Sequence, residues 1–325
     1  WKNVMLSGWC LAADKSKMSK SKGNVVTPMS LIAEKGADSI RIWSASGSLG
    51  SDVAYNEALL STGQRLITKL LNCSNFCSMN FHLCKDKIKT IKKNLNNGDI
   101  FVASDKLVLS HLYNTVQEAE KMFLSHDYFK AKMVIEDFFW KVFCDNYLEL
   151  IKVRNYGLDA NIYKDVSLSD SEIELIKRKQ ISSSITLFHC INTIARLFAP
   201  IMPFVTEHIY QNNLKEFDIY NQNSIHEIGS WPELGNMIKY DELIKKGDLL
   251  FTIIEKARQA KSQAKVSMKA EVQKIEIPSN MVDEFGNIDD TIEDLKHVVC
   301  MSKDGIISIC EKSNDIAIEL STDLS

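Results

Sequence analysis

From residue 56 to residue 214, apolar residues recur every three or four positions, segment after segment, with no run of strict alternation between them. That period places an apolar stripe along each of several helices. Such stripes leave water only by packing against one another, so the stretch is constrained to a helical bundle. Leu59, Leu66, Leu70 and Cys73 mark the first stripe, on a helix expected over 56–80. Leu109, Leu112, Val116, Ala119 and Phe123 mark a second, opened by Ser104. A third helix is expected over 128–156, ended by Gly157, with Phe138, Phe139, Trp140, Phe143 and Tyr147 as an aromatic arc for the core. Ser169, Asp170, Ser171 and Glu172 spell a capping box for a fourth, which runs through Ile181, Ile185, Phe188, Ile191 and Ile194 to Phe198. Pro200 and Pro203 then turn the chain into a fifth, over 204–214.

With only 13 Gly and 5 Pro in 325 residues, little else competes with helix. The net charge of −3 supplies no global basic field, so a nucleic-acid site must be local. No apolar run is long enough to span a membrane, and the first residues do not follow a signal-peptide plan. The chain opens at Trp1 in what reads as a strand edge, and is read as the C-terminal piece of a longer protein. Cys73, Cys77, His82 and Cys84 lie close together, as in some zinc sites. Cys73 and Cys77, however, are four apart on an apolar helix, where free Cys packs as a small hydrophobe, and no Cys-x-x-Cys pair exists. No metal site is assigned, and the thiols are read as those of a reduced, cytoplasmic protein.

The two flanks differ from the bundle. Residues 1–13 read as a strand leading into Lys17-Met18-Ser19-Lys20-Ser21-Lys22-Gly23-Asn24. Alternating ammonium and hydroxyl groups on a loop freed by glycine suit a polyphosphate. Thr27 and Pro28 start a helix that ends at Gly36, and Asp38 is expected to cap the next, over 39–45, before a turn-rich 46–52. The basic stretch 85–93 reads as a solvated insertion ending in Asn94, Asn96, Asn97 and Gly98. At the other end, a basic helix over 241–265 carries Lys256, Arg258, Lys261 and Lys265. A small α+β module follows: strand 272–277, an acidic loop with Asp283, Glu284, Asp289 and Asp290, short helix 292–295, strand 298–301, and a hairpin of 306–310 with 315–320.

The loop Lys17-Met18-Ser19-Lys20-Ser21 resembles the signature of class I aminoacyl-tRNA synthetases, and Gly23 to Pro28 resembles its valyl, isoleucyl and leucyl subgroup. Gly36 to Trp43 and Leu49 to Tyr55 are most similar to the valyl enzymes. Phe143 to Glu149, Phe198 to Glu207, Ser224 to His226 and Trp231-Pro232 resemble their anticodon-binding helices. The resemblance implies a mainly α chain. The end of a Rossmann-type nucleotide fold (1–53) precedes an α-helical anticodon-binding bundle (54–236) and the α+β module (237–325). It also implies ATP, with Mg2+ for which this chain shows no ligand, bound by Lys17, Met18, Ser19, Lys20 and Ser21. Lys20, helped by Lys17, is the expected catalytic lysine. The implied partners are valine and the tRNA for valine, met by a monomer that alone is inactive. Spacings of three and four put Arg258, Lys261 and Lys265 on one helix face as tRNA contacts, with Lys152 and Arg154 as a second patch. Two alternatives stay open: an isoleucyl enzyme, or a non-catalytic tRNA-binding module.

Overall fold

The computed structural model describes residues 1–91, 98–217, 220–232, 241–281, 289–311 and 314–321. The Asn-rich end of the basic stretch, the cut expected at 236/237, and Asp283 and Glu284 lie outside the described residues, as do the side chains of Asp289 and Asp290. In chain order the elements begin with β1 (Cys10–Leu11), α1 (Pro28–Lys35), α2 (Ala37–Ser44), β2 (Val53–Ala54), α3 (Glu57–Ser78) and α4 (Lys85–Ile91). Next come α5 (Ala103–Leu124), α6 (Tyr128–Asp137), α7 (Leu148–Leu150), α8 (Lys152–Tyr156), α9 (Asp170–Phe198) and α10 (Pro203–Ile209). The chain finishes with α11 (Asp241–Gln263), β3 (Val272–Pro278), α12 (Asp289–Val298), β4 (Met301–Cys310) and β5 (Ala317–Leu320). The helix expected over 128–156 is not uniform: Phe138–Tyr147 winds as a π-helix between α6 and α7. There Asn146 Nδ2 donates to the carbonyl of Lys141, five residues back, and Phe143 stacks on Tyr147 at 6.0 Å. The wider turn gives a run crowded with rings the room that an α-turn lacks.

The residues form two compact units. The first comprises Trp1–Lys93, Leu112–Phe139 and Leu187–Gly235. Its β1 pairs in parallel with β2, Cys10 beside Val53 and Leu11 beside Ala54. Asn56 caps α3 by accepting from the N–H groups of Ala58 and Leu59. The buried stripe of α3 is Leu60, Gly63, Leu66, Leu70, Cys73 and Cys77. Leu59, expected inside, is 39% exposed, because the helix is rotated so that Gly63 can approach Ile42 of α2. The ring of Phe81 meets Phe188 and Phe217 edge-on, each at 5.5 Å.

Asp38 does not cap its own helix. Its carboxylate accepts from the N–H groups of Val205 at 2.7 Å and Phe204 at 3.4 Å, capping α10 instead. Arg41, one turn on, donates to the carbonyls of Pro200 and Ile201, each at 2.8 Å. Two charged residues of α2 thus satisfy both strands of the proline turn, whose backbone groups would otherwise be orphaned.

The second unit comprises Asn94–His111, Trp140–Thr186 and Asn236–Ser325. The capping box holds: Ser169 N–H donates to Glu172 Oε2 at 2.8 Å, and Glu172 N–H donates back to Ser169 Oγ at 3.4 Å. Around α11, a core of Leu249, Leu250, Ile253, Ile254 and Ala257 packs with Val272, Ile275 and Ile277 of β3 and Leu295 of α12. The three strands are ordered β4-β3-β5, with β4 parallel and β5 antiparallel to β3. The hairpin expected from 306–320 is therefore absent: both strands pair with the buried β3 rather than with each other. Helix α12 provides the crossover that a parallel β3–β4 pair requires. The strand expected at 298–301 does not form: Val298 ends α12, Cys300 turns the chain at φ +56°, and only Met301 belongs to β4.

Candidate functional site

The lysine loop hangs between the β1 edge and α1. Leu11 bridges Lys17 across a tight turn in which Lys15 takes φ +63°. The loop is closed by Asn24. Its Oδ1 accepts the N–H of Ser19 at 2.8 Å, while Nδ2 donates to Ser16 Oγ at 2.9 Å and to the carbonyl of Lys17 at 3.2 Å. Inside this ring Lys20–Lys22 forms one 3-10 turn, ended by Gly23 at φ +66°. A side chain at Gly23 would be strained there, which is the physical reason for glycine.

The lysines are not equivalent. Lys17 Nζ sits 5.3 Å from the centre of the Trp9 ring, a cation–π contact. Lys20 is exposed, and its ammonium makes no hydrogen bond or ion pair among the described residues. Ser19 Oγ and Ser21 Oγ share a hydrogen bond at 2.7 Å, and the Met18 side chain is half-buried. The structure thus brings 17–21 into one exposed, pre-shaped turn with a loose cation at its tip. Sequence reading assigned no role to Asn24. The available signal was an Asn just after the glycine, placed where its amide reaches back across a turn.

The basic residues expected to contact nucleic acid do not share a surface. Arg154 is 6% exposed, and its guanidinium donates to both carboxylate oxygens of Asp105, at 2.8 and 3.1 Å, and to Ser104 Oγ at 3.0 Å. Burial opposes that charge, but the carboxylates of Asp105 and Asp294 outweigh it and hold the guanidinium ionised. Lys261 is 2% exposed; its Nζ donates to the carbonyls of Met268 at 2.9 Å and Val299 at 2.8 Å. Burial lowers the pKa of that amine. Neither head group can reach a phosphate, so both are corrected to structural residues. The expected face of Arg258, Lys261 and Lys265 fails for a second reason: α11 ends at Gln263, and Lys265 lies beyond it at φ +55°. Arg258 is half-buried and donates to the carbonyl of Asp145 at 2.6 Å. Lys152 is exposed, 3.4 Å from Glu149, and Lys265 is exposed. Cys73, Cys77 and Cys84 are buried and in no disulfide; Cys84 donates to the carbonyl of Phe81, and burial pushes its pKa up to about 12.

An anticodon-binding domain of tRNA ligase is matched over residues 105–277, more than half of the chain. The chain belongs to that family. The loop falls in a second match, over residues 1–56, to the class I tRNA synthetases for I, L, M and V. Curated relatives of this chain are valine–tRNA ligases. That of Wolbachia pipientis wMel is 39% identical over 86% of this chain and 29% of its own length. That of Rickettsia typhi is 37% identical over 92% of this chain and 33% of its own length. A third, from Ehrlichia ruminantium, is 38% identical over 87% of this chain and 31% of its own length. The chain spans about a third of the length of the relatives it matches. No helix among the described residues is long and apolar enough to cross a membrane.

Proposed function

We propose that this chain is the C-terminal part of a valine–tRNA ligase, which joins valine to ATP as an adenylate and then transfers it to the tRNA for valine. The observation that carries the reading is the loop closed by Asn24, which holds 17–21 as a turn and leaves Lys20 at the tip with no partner among the described residues. In adenylate formation the carboxylate of valine attacks the α-phosphorus and the bond to pyrophosphate breaks, leaving negative charge on the departing oxygens. An ammonium that meets this charge only as it develops lowers the barrier instead of merely tightening binding. We assign that role to Lys20. Lys17 releases Trp9 to join it, Ser19 and Ser21 donate to phosphate oxygens, and Met18 packs beneath the turn. Mg2+ would accompany the nucleotide; among the described residues no group of three or more His, Cys, Asp or Glu side chains gathers to hold it.

Functionally we divide the chain into the end of the nucleotide fold (1–53), the anticodon-binding bundle (54–236) and the C-terminal module (237–325). Its state is read as a monomer and its setting as the cytoplasm, the latter supported by eight cysteines outside any disulfide. The deciding experiment replaces Lys20 by Ala in the full-length ligase and follows valine-dependent ATP–pyrophosphate exchange. The rate falls by about 10²- to 10³-fold with valine affinity little changed. Exchange within about threefold of the parent would sink the assignment and move it to Lys17.

A further inference from the structure

The second unit contains a buried carboxylate, Asp294, that shares its nearest cation with another buried carboxylate. Asp105 is saturated: besides Arg154 it accepts from Tyr147 Oη at 2.7 Å and Ser182 Oγ at 2.6 Å. Arg154 spends Nη1 and Nη2 on Asp105 and Ser104, leaving only Nε, 3.2 Å from Asp294 Oδ2. That approach is not aligned for a hydrogen bond. Asp294 is 6% exposed, and its Oδ2 has no hydrogen-bond donor among the described residues. One guanidinium, with Lys179 on the cavity wall, therefore stands against two carboxylates, and neither oxygen of Asp294 accepts a hydrogen bond among the described residues, a costly arrangement unless a further donor arrives.

Asp294 opens onto a cavity of about 240 Å3 between α8, α9 and α12. Two more carboxylates line it, Glu172 and Glu293, against Lys179 and the imidazole of His297. Its remaining wall is aliphatic, from Val153, Leu168, Leu175 and Ile176, with Tyr163 beside them. A bare metal ion would want several anionic ligands converging, and no such group of three exists among the described residues. An alkylammonium fits better: three N–H donors on a point charge for Asp294, and methylenes for the aliphatic wall.

We propose that this cavity binds a short aliphatic diamine. One ammonium donates to the Asp294 carboxylate from the cavity side, the chain lies on Val153, Leu175 and Ile176, and the second ammonium meets Glu172 or Glu293 at the mouth. The site does not depend on the ligase reading. Burial pushes the Asp294 carboxyl up to about 6, with Arg154 and Lys179 pulling it down and Asp105 and Glu293 pushing it up. Tyr163 and His297 complete the ionisable groups of the cavity wall. The carboxylate is thus mostly charged at neutral pH and discharged by about pH 5.

Putrescine titrated calorimetrically into the 325-residue chain, at constant ionic strength with NaCl as control, tests this. Saturable one-to-one binding is expected near pH 7.5, weakened about tenfold or more at pH 5. The isosteric Asp294→Asn variant is expected to weaken it about as much, the scale of one lost charge-assisted hydrogen bond. If that variant unfolds, Leu175→Trp replaces it: Leu175 is 44% exposed, so a larger side chain can fill the mouth without entering the core, and should abolish binding. Absence of saturable heat up to about 10 mM putrescine, or equal binding by a folded Asp294→Asn, overturns the proposal. So does saturable binding of guanosine monophosphate in place of the diamine, which would make the cavity a nucleobase pocket.

Discussion

Asp38 Oδ2 accepts a 2.7 Å hydrogen bond from the backbone N–H of Val205, 167 residues further along the chain. A carboxylate of α2 thereby serves as the N-cap of α10, whose own residue at that position, Met202, makes no side-chain cap. With Arg41 holding the carbonyls on the same turn, the two segments of the first unit are fastened through backbone groups, and a sequence change in the turn would leave the fastening intact.

Replacing Asp38 by Ala removes that cap and leaves two buried N–H groups unpaired. Urea unfolding should show a loss of about 1–2 kcal/mol, whereas Asp38→Asn, which keeps an acceptor, should lose less than half as much. Equal losses for the two variants would make charge, not capping, the source.

Asn24 holds the lysine loop through three hydrogen bonds. In the full-length ligase, Asn24→Ala should lower ATP–pyrophosphate exchange about tenfold while the melting temperature of the chain stays within a degree or so, since the loop is exposed. A fall in exchange that merely tracks a fall in melting temperature would count against a positioning role.

His189 is 7% exposed in the first unit; its Nε2 has no hydrogen-bond partner among the described residues, and burial lowers its pKa to about 4. The unfolded chain, with an ordinary imidazole near 6.5, binds a proton in the window from about 6.5 to 4 that the folded chain refuses. Stability should therefore be retained above that window and fall as pH drops through it. His189→Phe should flatten this slope in denaturation curves taken across the window; an unchanged slope would place the acid sensitivity elsewhere.

Charge reversal tests which cations are structural and which contact RNA. Lys152→Glu and Lys265→Glu should leave the fold intact, weaken tRNA binding for all sequences alike, and flatten the salt dependence by roughly one log–log unit per lost phosphate contact. Arg154→Glu should instead unfold the second unit, since it leaves Asp105 buried without its partner. Filter binding at several salt concentrations, with circular dichroism on each variant, distinguishes the two behaviours.

Gly247 sits where a Cβ would lie 2.2 Å from the δ carbons of buried Leu107. Gly247→Ala should cost about 1–3 kcal/mol by overpacking, despite the better helix propensity of Ala, and Leu107→Ala in the same chain should restore part of it. Additive losses in the double variant would mean that the two residues do not meet.

What the sequence alone determined is what short-range rules control. Apolar period placed the bundle helices, Ser169 and Glu172 marked a cap that forms as read, and the lysine loop was legible because its chemistry is contiguous. What it could not determine was which distant group each polar side chain meets. Asp38 was read onto its own helix and Arg154 and Lys261 onto the surface, since by local spacing an exposed cation and a buried one look alike. Strand pairing failed in the same way: 306–310 and 315–320 are close in sequence, yet each gains more by flanking the buried β3 than by joining the other. Caps and periodic stripes act within four residues and are written locally. The partner of a buried charge is chosen by the whole fold, because leaving it unpaired away from water costs more than any local preference can repay.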